Sequence, residues 1–135
     1  MKISLTAVQK IIHQFLNEQK KELEHIDFVI GVSRGGLIPA VLIATAIDKP
    51  LVSAYIDRQD RVYLDRSPWI KNKRLLLVDD IVRTGSTFKK IITLLKRYKP
   101  KTIQSFTLYG LQNAAIQPTW THLVATDRSM PWDIS

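Results

Sequence analysis

One stretch constrains this chain more than any other. Leu75-Leu76-Leu77-Val78 is a short apolar run that delivers two adjacent acids, Asp79 and Asp80. After Ile81, Val82 and Arg83 comes Thr84-Gly85-Ser86-Thr87, and then Phe88, Ile91, Ile92, Leu95 and Tyr98 recur at helical spacing. Apolar runs of this length bounded by turn residues read as buried strands, and a 3.6-residue period reads as an amphipathic helix. The segment is therefore a strand, a turn and a helix. Neighbouring side chains on a regular strand face opposite ways, so both acids reach one pocket only if the strand has ended before them. The strand is expected over 74–78 and the helix over 86–98.

The same alternation fills most of the chain. Residues 5–24 carry Val8, Ile11, Ile12, Phe15 and Leu16 on one helical face. Phe28 to Val32 reads as a strand, Leu37 to Ile47 as a helix with Pro39 near its start, and Leu51 to Ile56 as the next strand. Residues 57–73 are polar and charged and read as a loop. Residues 102–109 and 122–126 read as the last two strands. Strands alternating with helices predict a parallel α/β sheet with right-handed crossovers, here one domain over 1–135. Ligands of such sheets sit beyond the carboxyl ends of the strands. Ser33-Arg34-Gly35-Gly36 and 79–87 both come directly after strands, so they are expected to face one pocket.

Charge and composition narrow the chemistry. The chain has 20 Lys and Arg against 12 Asp and Glu, a net charge of +8, and residues 55–113 hold the whole excess. Such a field attracts anions, a small polyphosphate or a nucleic acid. There is no cysteine, which excludes disulfides, thiolate metal sites and cysteine nucleophiles. His13, His25 and His122 are too scattered for a zinc site. The longest nearly apolar run, 37–46, is about half of the ~20 residues that cross a bilayer, and Met1 to Leu5 opens an amphipathic pattern instead of a signal peptide. A cytoplasmic protein without membrane contact is expected.

A turn of small hydroxylic residues around a glycine at a helix start suits a phosphate monoester, because backbone N–H groups, hydroxyls and the helix dipole converge there. The acids repel phosphate and suit sugar hydroxyls, Mg²⁺ or a developing cation. With these residues in place, 75–87 resembles the signature of the type I phosphoribosyltransferases. Residues 31–40 resemble that family's pyrophosphate loop, in the version found in bacterial xanthine-guanine phosphoribosyltransferases. The resemblance runs from residue 28 nearly to the end.

It implies a mostly parallel sheet of about five strands with flanking helices, a flexible loop near 57–73 and a small C-terminal hood near 110–135. It implies transfer of a phosphoribosyl group from phosphoribosyl pyrophosphate (PRPP) to a nucleobase, a 6-oxopurine by its nearest resemblance, with release of pyrophosphate. Carried over residue by residue, Asp79 and Asp80 take the ribose hydroxyls and Mg²⁺, directly or through water. Arg83, Thr84, Gly85, Ser86 and Thr87 take the 5′-phosphate, and Ser33, Arg34, Gly35 and Gly36 the pyrophosphate. Ser53 and Tyr55 lie beside the flexible loop, where Arg58, Arg61 and Arg66 offer pyrophosphate contacts. Tyr109, Asp127, Arg128, Trp132 and Asp133 fall in the base-pocket region, where Met130-Pro131-Trp132-Asp133 resembles a Pro-Trp-Asp motif of the xanthine-guanine enzymes. Family members are commonly homo-oligomers.

Three departures bear on the base. Arg83 stands where the purine enzymes usually carry an acid, and a guanidinium accepts no proton. Leu108 to Gln112 contains no lysine to hold a 6-oxo group. Asp127-Arg128 replaces a stacking tryptophan. A non-purine base, and a non-catalytic PRPP sensor or RNA-binding regulator, remain alternatives. The basic helix face has no aromatic residues interleaved as single-strand binders prefer, which disfavours nucleic acid.

Overall fold

The computed structural model describes residues 2–65 and 67–134. Ser4 starts the first helix, α1 (Leu5–Glu18), its hydroxyl accepting a 3.1 Å hydrogen bond from the Ala7 amide, and Val8, Ile12 and Phe15 form its buried face. The expected single helix over 5–24 breaks at Gln19, which caps α1 through the Phe15 carbonyl, and a one-turn α2 (Lys20–Leu23) comes next.

The strands β1 (Phe28–Val32) and β2 (Leu51–Ile56) flank α3 (Leu37–Ile47) at the expected boundaries. Next come β3 (Val62–Leu64), a 3-10 turn over Ser67–Ile70, β4 (Arg74–Val82), α4 (Ser86–Arg97), β5 (Thr102–Leu111) and β6 (Trp120–Val124). The sheet order is β3-β2-β1-β4-β5-β6, parallel except for the β2–β3 hairpin. One face packs on α1 and α3, the other on α4.

Six strands stand where about five were expected. The extra one is β3, inside the segment 57–73 read as a loop. Its three residues Val62-Tyr63-Leu64 carry no clear period, and pairing with Ala54, Tyr55 and Ile56 forms it. The C-terminal region also differs from the expected hood. Gly110 and Leu111 belong to β5 and residues 120–124 to β6, so the part outside the sheet is the β5–β6 connection and 125–134. That last segment docks on the N-terminus, where the Ile3 amide donates to the Ser129 carbonyl at 2.8 Å.

In this order the chain leaves β1 toward β2 on one side, while β4, its other neighbour, leads on toward β5. The β1–β4 boundary is thus a topological switch point, where open α/β sheets form their ligand crevice. Among the described residues no helix is long and apolar enough to cross a membrane.

Candidate functional site at the β1–β4 switch point

The segments 33–36 and 83–87 leave the carboxyl ends of β1 and β4, the two strands at the switch point. The 83–87 turn surrounds a cavity of about 250 Å³, lined by Asp79, Ile81, Val82, Arg83, Thr84, Gly85, Ser86, Thr87 and Phe88. Thr84, Ser86 and Thr87 are exposed around it, whereas Gly85 is buried with φ +91°. That backbone conformation favours glycine. A Cβ at Gly85 would also lie 2.7 Å from the Ile116 backbone nitrogen. The Ala115 amide donates to the Thr84 carbonyl at 2.9 Å, so the β5–β6 connection braces the turn from outside. Sequence reasoning missed this support, since nothing in the composition of 112–119 points to it.

The other segment is built for close approach. A Cβ on Gly36 would meet the Val78 carbonyl at 2.6 Å and the Asp79 Cα at 2.8 Å. A Cβ on Gly35 would sit 2.1 Å from an Asp80 carboxylate oxygen. Two glycines therefore let the turn after β1 lie against the acid pair. The Ser33–Arg34 peptide is cis, and Arg34 is exposed.

The acids themselves correct one expectation. β4 does not end before Asp79 but runs through Val82. Leu76 and Val78 pack toward α1 and α3, Leu75 and Leu77 toward α4; beyond the acids, Ile81 joins the first group and Val82 the second. Strict alternation would reverse those last two, so the phase of the strand slips by one across the pair. The pairing to β1 stops at Gly31 and Val78, which leaves the β1-facing edge of the acid pair without a partner strand. There the Asp79 carboxylate accepts from the Asp80 amide at 2.8 Å, and the Asp80 carboxylate from the Ile81 amide at 2.7 Å. Such local side-chain bonds compete with the ladder. Asp79 lines the 84–87 cavity and Asp80 lies against Gly35. Each acid thus serves one of the two turns.

Asp79 is only 8% exposed. Burial first, and then the neighbouring Asp80 charge, push its carboxyl well above the usual carboxylate range. Two carboxylate side chains are offered to a metal, and no cluster of three or more ligand side chains exists among the described residues. Mg²⁺ commonly rests on one or two carboxylates plus substrate phosphates and water, and this donor set fits an ion that arrives with a diphosphate.

The remaining expected residues divide. Arg83 donates from Nε to the Asp127 carboxylate at 2.7 Å, so it ties the phosphate-side turn to the C-terminal segment. Asp127 also accepts from the Arg128 amide at 2.8 Å. Asp133 accepts from the Met130 amide at 2.7 Å and shapes the last turn. Trp132 packs half-buried on the α1–α3 side, with its indole nitrogen buried and without a hydrogen-bond partner among the described residues. Tyr109 is buried in the same core with its ring edge-on to His122, so it is packing and not an open stacking platform.

On the hairpin, Arg61 turns back onto Asp57 at 2.8 Å, Tyr55 stacks on Tyr63, and the Ser53 amide donates to Asp65. Arg58 is exposed, and Arg66 lies outside the described residues. A separate cleft of about 320 Å³, lined by Leu16, Leu23 and Ile47 among others, sits beside the end of α3 that leads into β2 and contains neither turn.

Comparison with known proteins agrees with this arrangement. The family model described as Phosphoribosyl transferase domain matches residues 2–127. A purine phosphoribosyltransferase from Pyrococcus horikoshii superposes with a TM-score of 0.91 at 25% identity, covering 100% of this chain and 94% of that one. The adenine phosphoribosyltransferase of Campylobacter fetus is 29% identical over 76% of this chain and 65% of its own length. The orotate phosphoribosyltransferase of Bartonella bacilliformis is 30% identical over 72% of this chain and 50% of its own length. The chain thus spans less than two-thirds of the length of these curated relatives. From a switch-point site of two backbone turns with an acid pair between them, and from a family match over nearly its whole length, the chain belongs to the phosphoribosyl transferase domain family.

Proposed function

We propose that this protein transfers the phosphoribosyl group of PRPP to a nucleobase in nucleotide salvage. The observation that carries the reading is the division of labour at β4: Asp79 lines the cavity of the 84–87 turn while Asp80 packs on Gly35. An anion at each turn, with sugar hydroxyls at the acids between them, is the layout of a sugar carrying a phosphate at one end and a diphosphate at the other.

In this reading the amides and hydroxyls of Thr84 to Thr87 hold the 5′-phosphate at the start of α4. The 33–36 backbone and Arg34 hold the diphosphate and neutralise it as it leaves. The bond from the anomeric carbon to diphosphate oxygen breaks, a bond to base nitrogen forms, and one proton is released. Asp79, buried beside the 84–87 cavity with its carboxyl pushed up by burial and by the Asp80 charge, meets the ribose hydroxyls. Asp80, half-exposed, carries the negative charge that favours an oxocarbenium-like sugar. Asp79 and Asp80 would hold Mg²⁺, directly or through water, and the ion would supply charge neutralisation to the leaving diphosphate. The 57–65 hairpin closes over the site and excludes water.

The base is the finer part of the proposal. The resemblance to xanthine-guanine enzymes favours a 6-oxopurine, while similar curated proteins are named for adenine and orotate. Arg83 is already held by Asp127, so in this structure it tethers the C-terminal segment and does not reach for a base. The exposed stripe Ile38, Val41 and Leu42 on α3 supports a homo-oligomer, because adjacent apolar side chains left in water favour burial against a second copy.

The test is pyrophosphate release from PRPP and Mg²⁺ with hypoxanthine, guanine, xanthine, adenine, uracil and orotate in turn. Release with one base class, lost in the double variant Asp79→Asn, Asp80→Asn, is expected. Silence with all six, together with thermal stabilisation by PRPP, replaces catalysis with a PRPP-sensing role.

A further inference from the structure

Beyond the switch-point site the molecule has a larger groove. It measures about 700 Å³ and runs between the β2–β3 hairpin and α4. Asp60, Arg61 and Val62 form one wall; Ser86, Lys89, Lys90, Thr93, Leu94 and Arg97 form the other. The second set has spacings of three and four residues, which place all six on one face of the helix. The opposite face carries Phe88, Ile91 and Leu95 into the core, so this stripe is fixed in orientation by packing.

The groove is cationic. Of the four Lys and Arg side chains that line it, Lys90 is paired with Asp60 at 2.9 Å and Arg61 with Asp57 at 2.8 Å, so Lys89 and Arg97 carry its net charge. Lys89 and Arg97 are exposed and have no ion pair among the described residues. From Lys89 to Arg97 the helix rises about 12 Å, too far for one phosphate group to meet both. An extended anion does meet both, and Val62, Leu94 and the Thr93 methyl add an apolar strip along its path. Like-charged side chains held in one groove repel each other in the empty protein, and a polyanion relieves that repulsion.

We propose that this groove binds a linear polyphosphate, free or carried by a nucleoside, at a site separate from the two turns at the switch point. Lys89 and Arg97 grip its ends, and Arg61, oriented by Asp57, lines the hairpin wall beside it. A ligand bound there bridges the hairpin to α4, in addition to the Asp60–Lys90 pair. The proposal uses neither the acids nor the 33–36 turn; it shares with the catalytic reading the hairpin and Ser86, which lines both cavities.

The test is a ¹H–¹⁵N NMR titration of the whole chain with inorganic tripolyphosphate and, separately, with ATP. Saturating shifts are expected at Arg61, Val62, Lys89, Lys90, Thr93 and Arg97. Tighter binding of ATP identifies a nucleotide ligand, and equal binding identifies the phosphate chain itself. In the double variant Lys89→Ser, Arg97→Ser these shifts need at least about tenfold more ligand, as two charge-assisted contacts are lost. Both positions are exposed, so the variant keeps its fold, checked by an unchanged melting temperature. Pyrophosphate-induced shifts at 33–36 and 84–87 persist in it. Shifts confined to those two turns, shifts that never saturate, or equal affinity of the double variant would each overturn the proposal.

Discussion

Replacing Gly35 by alanine separates function from stability, for a reason contained in two distances. The new Cβ would lie 2.1 Å from an Asp80 carboxylate oxygen, and ordinary contact begins at 3.4 Å, so the oxygen must retreat by about 1.3 Å. A carboxylate swings readily. It gives up its 2.7 Å bond from the Ile81 amide, a loss of about 1 kcal/mol. For a chain of this length that lowers Tm by about 4 °C. A displacement of an ångström at a reacting centre costs about 100-fold in rate. At Gly36 the neighbours are backbone, the Val78 and Val32 carbonyls and the Asp79 Cα, all within 2.8 Å. Backbone in the middle of a sheet does not yield, so Gly36→Ala costs about 3 kcal/mol or more and about 12 °C. Calorimetry and pyrophosphate release on both variants check this. Full turnover in Gly35→Ala at an unchanged Tm would refute the placement of Asp80 against the turn. A Tm as low as that of Gly36→Ala would refute the claim that only a side chain has to move.

Other perturbations probe the same geometry. Asp79 has its carboxyl raised by burial, so the folded state holds a proton the unfolded chain has released. Stability is therefore complete below the ordinary carboxylate range near pH 4 and declines as pH rises toward the raised value. Asp79→Asn is expected to flatten this part of the Tm profile, and an unchanged slope would count against the assignment. Gly85→Ala meets both a positive φ and the Ile116 backbone, so it is expected to lose about 2–3 kcal/mol, read as a lower urea midpoint; a midpoint equal to wild type would contradict the strained turn. Arg83→Ala removes an ion pair whose members are each about half exposed, so it costs at most about 1 kcal/mol. Hydrogen exchange over 125–134 should quicken in it, and unchanged exchange would show that the pair does not tether that segment.

Much of the fold is written locally. β1, α3 and β2 lie where the apolar runs and turn residues put them, because each is specified by its own period and its own flanking breakers. The 84–87 turn and the 33–36 turn are legible for the same reason: glycine and hydroxyl residues directly after a strand leave few other conformations. The alternation of strands and helices brings both turns to one edge, since right-handed parallel crossovers allow little else.

Other features exist only once distant segments meet. β3 is a strand because β2 offers it an edge, and its three residues carry no signal of their own. The phase slip at Asp79 and Asp80 depends on where the β1 pairing stops, which no reading of β4 alone contains. Tyr109 looks like a stacking residue in sequence, yet β5 buries it because its neighbours on both sides are strands. Arg83 finds Asp127 across 44 positions, and the cationic groove needs the hairpin to lie over α4. Neighbours along the chain determine the element periods and the turns, so the sequence by itself contains them. Tertiary structure decides which groups face each other, because burial and charge pairing are properties of segments brought together from far apart.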